Sequence, residues 1–296
     1  MSRYPPPGRM LDVGGRRLHV YETGQGSPTV VLEAGIAATS LSWRPVQNEI
    51  AKFAHVASYD RAGLGWSDAA VKPLTLGGLV DDLHALLQIA QLPPPYILVG
   101  HSFGGLIVRA FARRNPAEVA GLVLVDAVQP EEWHPLSVEQ RNTLTRGIRL
   151  SRRGAMLARM GIVGWCLRSL LAGSRWFPKA VGGAASGRGL TVMKRIAGEV
   201  GKMPREVWPM VAQHWSNPKS FLGMAAHFES LPESSREMCE SPPIEGVPVI
   251  VLTPAGKQAL NGVGANVRHV VADRSGHWIH LDRPELVVEA VRTICG

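Results

Sequence analysis

Residues 100–105 read Gly-His-Ser-Phe-Gly-Gly, and that spacing suits a nucleophile. A serine on a sharp turn from a strand into a helix presents its hydroxyl clear of the sheet. Flanking glycines let neighbouring backbone pass where a Cβ would clash. The start of the following helix aims amide hydrogens at a site where negative charge develops. Such a pentapeptide also arises by chance in a chain with 32 glycines. A strand-like tract before Ser102 and a helix-like tract after it argue against chance.

A serine needs a base. Residues 273–280 read Asp-Arg-Ser-Gly-His-Trp-Ile-His and fall between the last strand-like tract and the last helix-like tract. A histidine in such a loop reaches across a sheet edge to a nucleophile on a central strand. His277 is the candidate, because Gly276 permits a tight turn before it, and His280 is its competitor. His101 adjoins the serine, but adjacent residues on a turn point apart, so a packing role is expected for it. The chain order, nucleophile before base, is that of one known Ser–acid–His arrangement.

The elements that must position these groups are legible as runs of branched apolar residues. Strands are expected at 17–23, 29–33, 55–59, 96–99, 121–125, 247–252 and 268–271, and helices at 43–53, 75–90, 103–115 and 284–293. ILVG, LVLV and VIVL are continuously apolar, as in strands covered on both faces of a parallel sheet. Strand and helix alternate, so the class is α/β. The expected division is a core of 1–127 and 244–296, interrupted by a helical cap at 128–243. The cap is read as several short helices broken by Pro and Gly, with a mobile loop at 182–189. Its position is over the face where open α/β sheets bind ligands.

The net charge of +8 is concentrated in that middle segment. Between Gln140 and Gly198 there are twelve basic residues and no acidic one, and 128–243 holds five of the eight Trp and seven of the nine Met. A basic face admits nucleic acid or an anionic membrane surface as partners. No nucleic-acid-binding signature accompanies it, so none is expected as a partner; peripheral membrane contact stays open, beside an ordinary solvated face. Met156, Met160 and Val163, at helical spacing, are expected in the core. With 45% hydrophobic and 19% charged residues in 296, the chain is expected to fold around a full core. Three scattered cysteines fit neither a disulfide scaffold nor a zinc site, and neither metal nor cofactor is expected. MSRYPPPGRM has no signal-peptide core and no window is apolar enough to span a bilayer. The expectation is a soluble, cytoplasmic protein.

Taken together, GHSFGG, SYDRAGLGWSD (58–68), LEAG (32–35) with Trp43 after it, and SGHWIHLDRPE resemble the α/β-hydrolase superfamily, most of all its cap-bearing, carboxylesterase-like serine branch. The resemblance covers about 180 residues outside the cap. It implies a mostly parallel eight-stranded sheet with helices on both faces, a Ser–acid–His triad, and a cap inserted after the sixth strand. It also implies an oxyanion hole from two backbone amides, here those of Phe103 and Ile36. Two departures stand out. The family's usual His-Gly pair is replaced by Glu33, Ala34 and Gly35, although only the amide after the glycine is needed. Glu33 is expected to bond its own loop rather than to react.

The second departure concerns the acid. The family's usual aspartate follows the strand at 247–252, where 253–272 contains no Asp or Glu. Some relatives place the acid one strand earlier, and the matching position is Asp126. Asp126 is the choice, with Asp273 and Asp282 as alternatives. Relatives that open epoxides or remove halide need an aspartate nucleophile, so Ser102 points instead to acyl transfer. The expected substrate is a small ester with an apolar acyl or aryl part, with amides, thioesters and C–C bonds behind it. The rival reading is a non-catalytic receptor for a small hydrophobic molecule.

Overall fold

The computed structural model describes residues 4–70, 73–171, 198 and 200–296. Its strands are β1 (Arg9–Asp12), β2 (Arg17–Thr23), β3 (Thr29–Glu33), β4 (Val56–Asp60), β5 (Tyr96–His101), β6 (Val119–Val125), β7 (Val249–Pro254) and β8 (Val267–Ala272). They form one sheet in the order β1-β2-β4-β3-β5-β6-β7-β8. β1 and β2 pair antiparallel, as do β2 and β4, and every later pair is parallel. This is the eight-stranded, mostly parallel sheet expected.

Alternation along each central strand divides the core into two layers. Val31, Leu98, Leu122 and Val251 face one side, where they pack with residues of α2 (Leu76–Ile89) and α3 (Gly104–Arg114). Val30, Val99, Val123 and Ile250 face the other side, against α1 (Arg44–Ile50) and the C-terminal helix Pro284–Cys295. Burying one such side chain contributes roughly 1.5–3 kcal/mol. With both faces covered, no position of β3, β5 or β7 can be polar-out, which explains the continuous apolar runs. Thr75 caps α2 by accepting the Gly78 amide at 3.1 Å.

The sequence reading missed β1. Four residues are too few to show alternation, but Asp12 accepts the amides of Gly14 and Gly15 at 3.0 and 2.7 Å. That hairpin turn was the available signal.

Between β6 and β7 the described elements are all helical. They include α4 (Val138–Arg159), α5 (Ile162–Leu171), α6 (Trp208–Trp215) and α7 (Pro218–Cys239). The expectation of short, broken helices is corrected here, since α4 and α7 each run 22 residues. Gly154 and Gly147 do not break α4. They sit where it meets α7, and a Cβ at Gly154 would lie 2.5 Å from the Phe221 ring. Pro232 is carried inside α7. Met156 and Met160, expected in the core, are 58% and 66% exposed, and Val163 is half-buried. Met156 lies off the face of α4 that carries the buried Ser151, Ala155 and Ala158. Arg141, Arg146, Arg149, Arg152, Arg153 and Arg159 are exposed. The loop expected at 182–189 lies outside the described residues. Among the described residues no helix is long and apolar enough to cross a membrane.

α7 docks on the loop after β4. A Cβ at Gly223 would meet the Gly63 carbonyl at 2.6 Å, so the two backbones touch. Lys219 Nζ donates to the Gly65 carbonyl at 3.0 Å. The last two elements are a single turn, α8 (Ile279–Asp282), and α9 (Pro284–Cys295), which starts with proline at its first position.

Candidate active site

Ser102 stands between the end of β5 and the start of α3 with φ +53°. That left-handed backbone is unfavourable for a residue with a Cβ. It is held there from several sides. The Ser102 amide donates to the Val125 carbonyl at 3.1 Å, and its carbonyl accepts the amides of Gly105 and Val128, each at 3.0 Å. The glycines of the motif make room. A Cβ at Gly100 would lie 2.6 Å from Val108 Cγ2, and one at Gly104 would lie 2.6 Å from the Glu33 carbonyl oxygen.

One strand over, Asp126 follows β6 with φ +39°. Its amide donates to the Leu252 carbonyl at 2.8 Å, so β7 holds the turn that aims the carboxylate. Asp126 Oδ2 accepts from His277 Nδ1 at 2.6 Å. Oδ1 accepts from Lys257 Nζ at 2.7 Å. Burial pushes the Asp126 carboxyl up, but the hydrogen bonds from His277 and Lys257 outweigh it and hold the group below the usual carboxylate range. A carboxylate can only accept, so Nδ1 carries the ring's proton and the neutral imidazole keeps its lone pair on Nε2. The His277 carbonyl accepts from His101 Nε2 at 2.9 Å, tying the loop to the residue before Ser102.

The competing assignments separate clearly. Asp282 accepts the Gly276 amide at 2.9 Å and pairs with Lys202 at 2.7 Å. The Asp273 carbonyl accepts from Arg283 at 2.7 Å. Neither carboxylate is bonded to His277. His280 is fully buried and stacks against Trp43 with ring centroids 4.3 Å apart. Burial lowers its pKa to about 3, so it is a neutral packing group. His101 is likewise buried and neutral, lowered first by desolvation, in keeping with its expected packing role.

Glu33 is a structural anchor of the loop after β3. It is 1% exposed, accepts from the Tyr59 hydroxyl, and pairs with the Arg61 guanidinium. Burial raises its carboxyl, although Arg61 and Tyr59 favour the charged form. Arg61 also donates to the carbonyls of Ala34 and, at 2.6 Å, Gly35. Its Nε donates to His227 Nε2 of α7 at 2.9 Å. The Gly35–Ile36 peptide is trans, so its N–H points opposite to the carbonyl that Arg61 holds. The Gly35 position lies against the elbow, where an added Cβ would be 3.2 Å from Ser102 Cβ. Ile36 is half-buried and Phe103 fully buried beside it. Sequence reading missed Arg61, His227 and Lys257. A buried Glu33 demands a cation, and that was the one available hint.

A pocket of about 290 Å³ beside the acid is lined by Asp126, Gln129, Thr253, Lys257 and Leu260 among others, but by neither Ser102 nor His277. It lies on the Lys257 side of the carboxylate rather than over Ser102.

A parallel sheet with this crossover order, and a serine elbow on its central strand, define the α/β-hydrolase architecture. Residues 28–146 match the family model described as alpha/beta hydrolase fold. The chain therefore has the α/β-hydrolase fold. Among curated proteins it is similar to YqjL of Bacillus subtilis, at 33% identity over 123 residues. That match covers 38% of this chain and 49% of YqjL, so the chain spans about half the length of that relative. Among solved structures it is similar to the epoxide hydrolase CorEH, with a TM-score of 0.72 at 18% identity, covering 97% of both chains. It is also similar to a thermophilic esterase from Thermogutta terrifontis, with a TM-score of 0.60 at 22% identity, covering 96% of this chain and 95% of that one. At such identities the solved structures show a shared fold.

Proposed function

We propose that the protein is a serine hydrolase that cleaves carboxylic esters with an apolar acyl or aryl part. The observation that carries this reading is the His277 Nδ1–Asp126 Oδ2 bond of 2.6 Å, next to a serine held at φ +53°. In the proposed reaction His277 Nε2 takes the proton of Ser102 Oγ as that oxygen attacks the ester carbonyl. The amides of Phe103 and Ile36 receive the developing oxyanion. The tetrahedral intermediate collapses, the C–O bond to the alcohol breaks, and the alcohol leaves with the proton from His277. Water, deprotonated by the same nitrogen, then attacks the acyl-enzyme and releases the acid and free Ser102. Asp126 keeps Nδ1 protonated and stabilises the transient imidazolium.

Apolar specificity is supported by Trp278, the residue after His277. It packs with Val207, Val211 and Trp208 of the helical segment between β6 and β7. The same segment is the proposed cap over the site, reaching the oxyanion loop through His227 and Arg61. An epoxide hydrolase shares the fold, but opening an epoxide in that manner needs a carboxylate where Ser102 stands.

Fluorophosphonate labelling with mass spectrometry of the modified peptide tests the reading. The expected result is one adduct, on Ser102, together with turnover of short nitrophenyl esters that Ser102→Ala abolishes. Absence of both adduct and turnover in a folded protein favours the non-catalytic receptor instead.

A further inference from the structure

We propose that Lys257 is a positioning residue for the proposed triad: it holds Asp126 from the side opposite His277. This inference rests on the serine-hydrolase reading and goes beyond it. It starts from the register of the sheet. β6 and β7 pair in parallel up to Val125 and Leu252, so the turn after β6 and the loop after β7 emerge side by side. The superfamily resemblance placed an acid in the loop after β7, and here the loop carries Lys257. Its ammonium reaches Asp126 Oδ1 at 2.7 Å while His277 takes Oδ2 at 2.6 Å.

Two donors on the two oxygens of one carboxylate fix the rotation of its plane. With His277 alone, Asp126 could turn about its Cβ–Cγ bond and present either oxygen. With Lys257 in place, Oδ2 is left for the imidazole. Among the described residues no other side chain is bonded to Asp126. His101 at the end of β5 and His280 in α8 are buried and neutral, and Asp282 is paired with Lys202. On the pocket side stand the carboxyl groups of Glu131 and Glu132. Lys257 itself is 40% exposed in its side chain, so its replacement leaves the core untouched.

The test compares the wild type with Lys257→Met and Lys257→Arg, using a neutral nitrophenyl ester across pH 5–9. For Lys257→Met the expected kcat at neutral pH falls about fivefold while KM stays within about twofold, because the loss lies in the orientation of the Asp126–His277 pair and not in ester binding. The acidic limb of the kcat/KM profile shifts, as the field at the Asp126–His277 pair changes with the loss of a half-exposed cation. Lys257→Arg keeps the charge and restores both. Proton NMR of the resting protein gives a readout independent of turnover: the downfield resonance of the His277 Nδ1 proton shifts or broadens in Lys257→Met and recovers in Lys257→Arg. If Lys257→Met keeps the wild-type kcat, pH profile and resonance, the inference is overturned, even where its melting temperature drops. If the wild type has no Ser102-dependent turnover, the hydrolase reading fails, and the resonance alone then decides whether Lys257 positions the pair.

Discussion

Asp126 and His277 lie 151 residues apart in the chain and meet at 2.6 Å through Oδ2 and Nδ1. The contact is made by an aspartate in left-handed backbone at the tip of β6 and a histidine in the loop between β8 and α8. Asp126→Asn keeps the shape but replaces one accepting oxygen with a donor, so the imidazole loses tautomer control. The expected loss in kcat is about 10⁴-fold with KM little changed. Asp273→Asn, away from the ring, is expected to be mild. Steady-state kinetics of the two variants on one ester decide it, and comparable losses would overturn the assignment of the acid.

His277→Ala removes the proposed base and should cost several orders of magnitude in kcat. His280→Ala leaves the base and opens a cavity beside Trp43, so its effect should fall mainly on stability. The ratio of kcat loss to change in melting temperature separates the two, and the opposite ranking would exchange their roles.

Glu33→Gln should destabilise by about 3 kcal/mol, because it leaves the 3%-exposed Arg61 without its buried counter-charge. The proposed oxyanion loop is held by that arginine through the Ala34 and Gly35 carbonyls, so kcat should fall as well. Urea denaturation measures the first effect, and a shift well below 1 kcal/mol would show that Arg61 has other compensation.

Acid sensitivity follows from four buried histidines. Desolvation lowers His214 to about 4 and both His227 and His280 to about 3, and it pushes His101 down as well. Below about pH 6.5 the unfolded chain binds protons that the folded chain refuses, so stability falls as the pH drops toward those values. Each group adds about 1.4 kcal/mol per pH unit to that slope. His19 opposes them, since despite desolvation the Asp60 carboxylate raises it. Its stabilisation is complete below about pH 6.5 and is lost above that as pH rises through its raised value. Melting temperatures from pH 4.5 to 7 should therefore rise steeply, and a flat profile would contradict neutral burial of these rings.

The exposed arginines of α4 offer a smaller test. If they steer anionic substrates, added salt should reduce kcat/KM for a negatively charged ester more than for a neutral one. Equal responses identify them as a solvated face.

What was legible in the sequence is what local composition dictates. ILVG, LVLV and VIVL announce strands covered on both faces because a parallel sheet leaves no exposed position for a polar residue. The Gly-His-Ser-Phe-Gly-Gly tract announces its turn because only glycine admits the close approach of Val108 and of the Glu33 carbonyl. The choice of Asp126 over Asp273 and Asp282 came from resemblance and elimination; the bond itself depends on strand register and on the path of the last loop. Other features had no local signature. Gly147 and Gly154 are carried inside α4 because Phe228 and Phe221 pack on them, and a neighbouring helix repays the glycine's backbone entropy with contact. Lys257 is another such feature, since its bond to Asp126 exists only because β6 and β7 emerge together. Arg61, bound to Glu33, two loop carbonyls and His227, reaches partners up to 166 positions away in the chain. A buried charge takes its partners from whatever the fold brings within 3 Å, and only the tertiary structure decides which those are.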